Sequence, residues 1–346
     1  MSVVTRCVLF VLTAGLVFGH AVAAAEPAGR TADAAWVVSA SPGPGGVVEL
    51  VVYSVAMGKP VTVTVLPAAD PAASAPVLYL LNGVDGGSGP DGDWRGGGNW
   101  LTRTDIAEFL ADEQVTVVMP VGGAGSYYAD WRADDPVLGR QRWTTFLTRE
   151  LPRVIDAEFH GTGANAVAGV SMAGTAAFQL ALAAPRLYRA VASYSGCVAT
   201  SGPQGHAIVN TVVSGQNGDP VNMWGQPGDP LWAANDPFLH ADRLRGLSLY
   251  IASGTGLPGP LDTVDGPGLR GDSMKLLDQL LIGGALDAVT GICTQQLATR
   301  LTELDIPATV ELRPNGTHSW GYWREDFHRS WPMFAAALKD QRTPGK

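Results

Sequence analysis

A serine flanked by small residues stands where the hydrophobic pattern of the chain changes abruptly. Residues 169–174 read Gly-Val-Ser-Met-Ala-Gly. The apolar run 165–170 predicts a strand, and residues 175–182 predict a helix that ends before Pro185. A serine on such a turn has the geometry of a nucleophile elbow, in which the following helix points its first N–H groups toward the substrate. Ser171 is therefore the candidate nucleophile, although an ordinary turn has the same pattern.

Strand and helix patterns alternate along the rest of the chain. Helices are predicted at 102–110, 143–159, 274–304 and 322–338, and strands at 47–53, 61–66, 77–81, 115–120, 190–195, 247–252 and 309–312. The alternation predicts a mostly parallel central sheet with helices on both faces, and together with the elbow at Ser171 it is typical of an α/β-hydrolase fold. Function in such a fold gathers at the carboxyl ends of the strands. Residues 200–237, rich in Gly, Pro, Asn and Asp, are expected to form an irregular functional surface.

The N-terminal residues predict export. Arg6, the apolar run 7–18 and small residues at 21–25 fit a signal peptide over residues 1–25, with an uncleaved anchor as the alternative. We expect a leader at 26–40, one domain at 41–342 and no later transmembrane segment. The net charge of −9 without a basic cluster argues against nucleic acid as a partner. No Cys/His spacing indicates a metal, no cofactor is expected, and a monomer is predicted.

A serine hydrolase also needs a base, an acid and an oxyanion hole. His318 follows the last predicted strand, where the base of this fold lies, and the order serine–acid–histidine is met. Backbone N–H groups of Val84 and Met172 fit the oxyanion positions. Seven carboxylates remain open as the acid on this reasoning alone: Asp262, Asp265, Asp272, Asp278, Asp287, Glu303 and Asp305.

From about residue 77 to its end, the chain resembles the antigen 85 family of mycolyltransferases, secreted trehalose mycolyl esterases of mycobacteria and corynebacteria. The similar segments lie at 79–83, 119–123, 126–131, 145–152, 169–172, 223–225, 235–237 and 314–320. The resemblance implies that a serine takes a mycolyl chain from one trehalose ester and passes it to another. Ser171 then matches the nucleophile, His318 the base, and Trp320 a tryptophan beside the carbohydrate site.

The same resemblance selects the acid and the other substrate residues. Asp287 fits the family's acidic position in a Leu-Glu step, with Thr290 and Gln295 in register. It is one methylene shorter than the family's glutamate, so either the helix lies closer or a water bridges. Asn82 and Asp85 replace an aspartate and an arginine of the mycobacterial members, and Asn82 is closer to the corynebacterial branch. Arg103 replaces an asparagine that contacts the acceptor, and Trp224 is expected in the acyl groove.

We hypothesise that the two cysteines after the leader, Cys197 and Cys293, form a disulfide that fastens the acid's helix to the sheet. The alternative is that both are buried free thiols. The sequence thus predicts a secreted cell-envelope enzyme whose partners are trehalose mycolates and cell-wall glycolipid acceptors. It is expected to convert trehalose monomycolate to dimycolate or to acylate arabinogalactan. Alternatives are a plain carboxylesterase, a protein O-mycolyltransferase, and a non-catalytic relative that binds cell wall or matrix.

Overall fold

Nine strands form one sheet in the computed structural model, which describes residues 34–339. The strands are β1 Trp36–Pro42, β2 Val48–Ser54, β3 Lys59–Leu66, β4 Ala75–Leu81, β5 Thr116–Pro120, β6 Gly161–Val170, β7 Tyr188–Tyr194, β8 Ser248–Ser253 and β9 Thr309–Leu312. Their order across the sheet is β1-β2-β3-β5-β4-β6-β7-β8-β9. The strands from β5 to β9 in this order run parallel, and β1 to β3 form an antiparallel edge. The predicted mostly parallel sheet is confirmed.

Helices cover both faces of the sheet. They are α1 Trp100–Arg103, α2 Ile106–Phe109, α3 Trp143–Thr145, α4 Leu151–Glu158, α5 Met172–Ala183, α6 Gly202–Gly215, α7 Pro220–Trp224, α8 Pro230–Ala234, α9 Ser273–Asp278, α10 Gly284–Glu303 and α11 Trp320–Lys339. Neighbouring residues of the buried strand β4 point into different apolar clusters, Tyr79 into one and Leu80 into the other. Helices α4, α5 and α10 pack in the first cluster, and α1, α2 and α11 in the second.

Three local expectations are wrong. Strand β1 occupies residues that were assigned to the leader, so a leader can extend no further than residue 35. The region 200–237 contains three helices instead of an irregular surface, and proline occupies the first turn of each, where its missing N–H needs no partner. The helix predicted at 102–110 is two short helices, α1 and α2. The predicted signal peptide and most of the leader lie outside the described residues.

The helix that carries Asp287 is continuous. A π-helical segment, Gln279–Gly283, joins α9 to α10, so the helix predicted at 274–304 continues through the glycine pair at 283–284. Within residues 34–339, Ser273–Glu303 is long and apolar enough to cross a membrane, which contradicts the expectation of no such stretch. Because α10 packs on β8 and β9 and Asp287 is fully buried, this segment is a helix of the domain.

Candidate active site

Ser171 lies on a strained turn between β6 and α5. Its backbone adopts φ 56° and ψ −126°, and its N–H donates to the carbonyl of Tyr194 at 2.8 Å. The turn requires glycine at two neighbouring positions, since a Cβ on Gly169 would lie 2.2 Å from the carbonyl oxygen of Ala173. A Cβ on Gly174 would lie 2.4 Å from the hydroxyl of Ser193. The elbow geometry expected from the sequence is therefore present at Ser171.

His318 and Asp287 are joined by a direct hydrogen bond. His318 Nδ1 lies 2.9 Å from Asp287 Oδ1, and Asp287 is fully buried. The other carboxylate oxygen accepts from the N–H of Gly254 at 2.8 Å, and Thr290 Oγ1 donates to Oδ1 at 3.2 Å. Arg313 lies 3.7 Å from Oδ2. The acid is fixed on both oxygens, and the imidazole keeps Nε2 free to face a hydroxyl.

The environment of Asp287 favours its ionised form. Burial raises the pKa of this carboxyl, but His318, the Ser195 hydroxyl and the Gly254 N–H together outweigh that effect, so its pKa lies below the ordinary value. A carboxylate that stays ionised orients the imidazole and stabilises the imidazolium that forms when it takes a proton.

Glycine contacts explain how the shorter acid reaches the histidine without a bridging water. A Cβ on Gly291 of α10 would lie 2.5 Å from the carbonyl oxygen of Gly254, and one on Gly256 would lie 2.0 Å from that of Gly284. The N–H of His318 also donates to the carbonyl of Gly283 at 3.0 Å. The helix therefore lies directly on the loop that follows β8, which brings the short side chain of Asp287 within hydrogen-bond distance of the imidazole.

Two cavities meet at His318. A largely apolar cavity of about 270 Å³ contains Ser171 and lies between α6 and α10. A polar cavity of about 430 Å³ is lined by Arg103, Trp320 and neighbouring residues. His318 and Leu286 line both cavities. Ser171 and His318 share the wall of the apolar cavity, and no direct hydrogen bond joins them in the described chain. Such contacts often tighten only when substrate is bound.

The predicted oxyanion donors lie beside the elbow. Met172 is the first residue of α5, so its N–H lies at the helix N-terminus. A Cβ on Gly83 would lie 3.7 Å from the Cβ of Ser171, which places the Gly83–Val84 step against the serine. The arrangement is consistent with two N–H groups that converge on an oxyanion at the carboxyl ends of β4 and β6.

Three of the predicted sugar-binding residues surround the open position beside Gly98. A Cβ there would lie 3.5 Å from Asp85 Oδ2, 3.6 Å from Trp320 Nε1 and 3.8 Å from Arg103 Nε. Burial raises the pKa of Asp85, against the opposing effects of the Gly87 N–H and Arg103. An indole N–H, a guanidinium and a carboxylate that face one small space form a set suited to sugar hydroxyls.

Two predicted substrate residues are in the core, and their assignment was wrong. Asn82 is 1% exposed, and its side chain donates to the Pro120 carbonyl at 3.2 Å beneath the glycine-rich loop. Trp224 is fully buried against Tyr127 and Trp232. Both side chains pack in the interior and line neither of the two cavities described above. The apolar cavity is lined instead by α6 residues, which include Ala207, Ile208, Thr211 and Val212.

The predicted disulfide between Cys197 and Cys293 is present in the structure. Cys197 follows the end of β7, and Cys293 lies in α10, six residues after Asp287. The bond joins positions 96 residues apart and fastens the helix of the acid to the sheet. Cys197 also lines the apolar cavity, so the same bond shapes its wall.

Sequence reasoning missed polar residues around the acid. Ser195 is fully buried, accepts a hydrogen bond from Trp323 Nε1 at 3.1 Å, and lines the apolar cavity. Its position directly after a buried strand was a usable signal, because function gathers there. Arg313 pairs with the buried Asp326 and approaches Asp287. No group of three or more candidate metal ligands occurs among residues 34–339.

The fold and this site define an esterase-type α/β-hydrolase. The Esterase family model matches residues 54–334. The chain is 31% identical over 309 residues to diacylglycerol acyltransferase/mycolyltransferase Ag85B of Mycobacterium leprae, covering 84% of each protein. It is 30% identical over 345 residues to Ag85B of Mycobacterium intracellulare, covering 93% of each. The chain therefore belongs to the antigen 85 family.

A solved structure supports the fold. MPT51 (FbpC1) of Mycobacterium tuberculosis superposes with a TM-score of 0.67 at 24% identity, covering 84% of this chain and 98% of that one. The closer likeness to the corynebacterial branch stays a prediction.

Proposed function

We propose that this protein is a secreted mycolyltransferase that moves a mycolyl chain between trehalose esters through an acyl-enzyme on Ser171. The observation that carries the proposal is the position of His318, held by Asp287 between an apolar cavity that contains Ser171 and a polar cavity lined by Arg103 and Trp320. Two compartments on either side of one base suit acyl transfer, because the acyl chain and the acceptor sugar can be held at the same time.

In the first step, Ser171 attacks the ester carbonyl while His318 accepts its proton. The backbone N–H groups of Val84 and Met172 stabilise the oxyanion. The ester bond breaks, the acyl chain stays on Ser171 in the apolar cavity, and trehalose leaves with a proton from His318. Asp287 holds the imidazole tautomer that presents Nε2 to both hydroxyl groups.

In the second step, a hydroxyl of a second trehalose ester or of a cell-wall glycolipid enters the polar cavity and transfers its proton to His318. Its oxygen attacks the carbonyl carbon of the acyl-enzyme, the bond between Ser171 Oγ and the acyl group breaks, and Ser171 regains its proton from His318 as the new ester leaves. Trp320, Arg103 and Asp85 hold the acceptor sugar, so its hydroxyl reaches the carbonyl in preference to water. Every residue of this mechanism comes from one chain, so a monomer is sufficient.

Export is consistent with the rest of the proposal. The Cys197–Cys293 disulfide suits an oxidising compartment outside the cytoplasm. The fixed contact between Asp287 and His318 counts against the non-catalytic alternative, whose only support was the shortened acid.

The test is incubation of the purified protein with trehalose monomycolate, followed by chromatography of the lipid products. The proposal predicts trehalose dimycolate from the native protein and none from Ser171→Ala. Free mycolate alone would identify a hydrolase, and an absence of any product from this donor would contradict the proposal. Repeating the incubation with arabinogalactan fragments or with an acceptor protein distinguishes the acceptor classes.

A further inference from the structure

The helical segment that carries the acid exposes a row of apolar side chains. Between 38% and 71% of the surface of each is exposed. We call this row the apolar ridge, and its members are Met274, Leu277, Leu281, Ile282, Leu286, Val289 and Ile292. At 1.5 Å per residue, the 18 steps from Met274 to Ile292 correspond to roughly 27 Å. Contiguous exposed apolar surface of this kind marks a binding face.

The ridge has no exposed charge along its centre. Asp287 is the only charged residue between Asp278 and Arg300, and it is fully buried. The surface that residues 279–299 offer is therefore aliphatic or uncharged, and the exposed charges of Lys275 and Asp278 lie at the Met274 end of the ridge. A helix face that contacts only water usually carries charged and polar residues.

The ridge is continuous with both cavities of the active site. Ile282 and Leu286 line the polar cavity, and Leu286 and Val289 line the apolar one. The same side chains thus belong to the outer face and to the entrance of the site. A surface that covers the ridge therefore also lies at the entrance of the site, where an acyl chain enters or leaves.

We propose that the apolar ridge docks on the surface of a lipid layer, from which the acyl substrate passes directly into the site. This placement deepens the proposed function, because a long-chain glycolipid is held in such a layer and is scarcely soluble as a monomer. The helix can enter the layer's interface without exposing unpaired backbone groups. Arg270 and Lys275, which line the polar cavity near Met274, face the headgroup level.

The test uses Leu281→Ser/Ile292→Ser, a double variant of two ridge residues that line neither cavity. The matched control is Val137→Ser/Leu239→Ser, which removes comparably exposed side chains outside the ridge. Each full-length protein is sedimented with vesicles of phosphatidylcholine and phosphatidylglycerol at a ratio of about 4:1. Hydrolysis of soluble p-nitrophenyl acetate is measured in parallel.

The proposal predicts vesicle binding by the native protein and the control, and at least about tenfold weaker binding by the ridge variant, since each lost aliphatic side chain removes apolar transfer free energy. Hydrolysis of the soluble ester should stay within about twofold in all three. Equal binding by the ridge variant, no binding by the native protein, or a native dimer that the ridge variant dissociates would overturn it. If the native protein does not hydrolyse the ester but binds vesicles more strongly than the ridge variant does, only the proposed function is contradicted.

Discussion

His318 Nδ1 and Asp287 Oδ1 lie 2.9 Å apart although the two residues are 31 positions apart in the sequence. The contact depends on the close approach of α10 to the loop after β8, and on the N–H of Gly254 that fixes the second carboxylate oxygen.

Replacing Asp287 with Asn should lower kcat by about 10³- to 10⁴-fold, because an amide removes the charge and favours the wrong imidazole tautomer. Steady-state hydrolysis of p-nitrophenyl butyrate provides the measurement. Asp242→Asn, an exposed change in a 3-10 turn, is the matched control and should leave kcat within twofold. Comparable activity in Asp287→Asn and Asp242→Asn would show that this carboxylate does not support the base.

Gly291→Ala should separate activity from intrinsic helix stability. Alanine in a helix interior ordinarily stabilises by about 0.5–1 kcal/mol, but here its Cβ would lie 2.5 Å from the Gly254 carbonyl oxygen. The helix must move outward with Asp287, and we expect at least a tenfold loss of kcat. Gly215→Ala in α6 meets nothing within 4 Å and is the control. Native kcat in Gly291→Ala would refute the role of the glycine contact.

Trp320→Ala should change the fate of the acyl-enzyme more than its formation. Trp320 lines the polar cavity and packs edge-on against Trp100 and Trp323. Without it the acceptor is held less well, so the ratio of transfer to hydrolysis should fall at least fivefold while the rate of acylation changes little. Product ratios from a single donor ester, at fixed trehalose concentration, measure this. An unchanged ratio would mean that the acceptor binds elsewhere.

Asp326 should make the protein less stable as the pH rises. Burial raises the pKa of Asp326 to about 6, despite the neighbouring Arg313. Because this value lies above the ordinary 3.8, the folded protein holds the proton more tightly than the unfolded chain does. The stabilisation is complete below about pH 4 and is lost as the pH rises through about 6.

Urea unfolding of the native protein and of Asp326→Asn, measured between pH 4 and 7, checks that expectation. From pH 4 to pH 7, the free energy of unfolding of the variant minus that of the native protein should increase by up to about 3 kcal/mol. Because other carboxylates titrate equally in both proteins, the difference isolates Asp326. Parallel pH profiles would show that the carboxyl titrates normally.

The sequence was sufficient for the elbow at Ser171, because small residues, an apolar run and a helical pattern are local features. His318 followed from strand order. Asp287 required the resemblance, since seven carboxylates in that part of the chain fit equally well on local grounds. The direct reach of Asp287 depends on contacts between glycines 28 and 37 residues apart, which no local pattern contains.

Burial explains the errors at Asn82 and Trp224. A polar residue after a strand and a tryptophan in a glycine-rich region both suggest a site, but whether a side chain faces a cavity or the core depends on tertiary packing. Because residues 200–237 are rich in Gly, Pro, Asn and Asp, their composition did not predict α6, whose residues line the apolar cavity. Ser195 was placed inside a predicted strand, although it is the first residue beyond it.

The central claim is that Ser171 carries the acyl group and that His318 accepts the proton of the sugar hydroxyl that attacks it. Mass spectrometry of the intact protein, mixed rapidly with p-nitrophenyl octanoate, tests this most directly. The account predicts one octanoyl adduct, located on Ser171 by peptide mapping, that trehalose discharges faster than water alone. An adduct on another residue, or none on a protein that still turns over the ester, would contradict it.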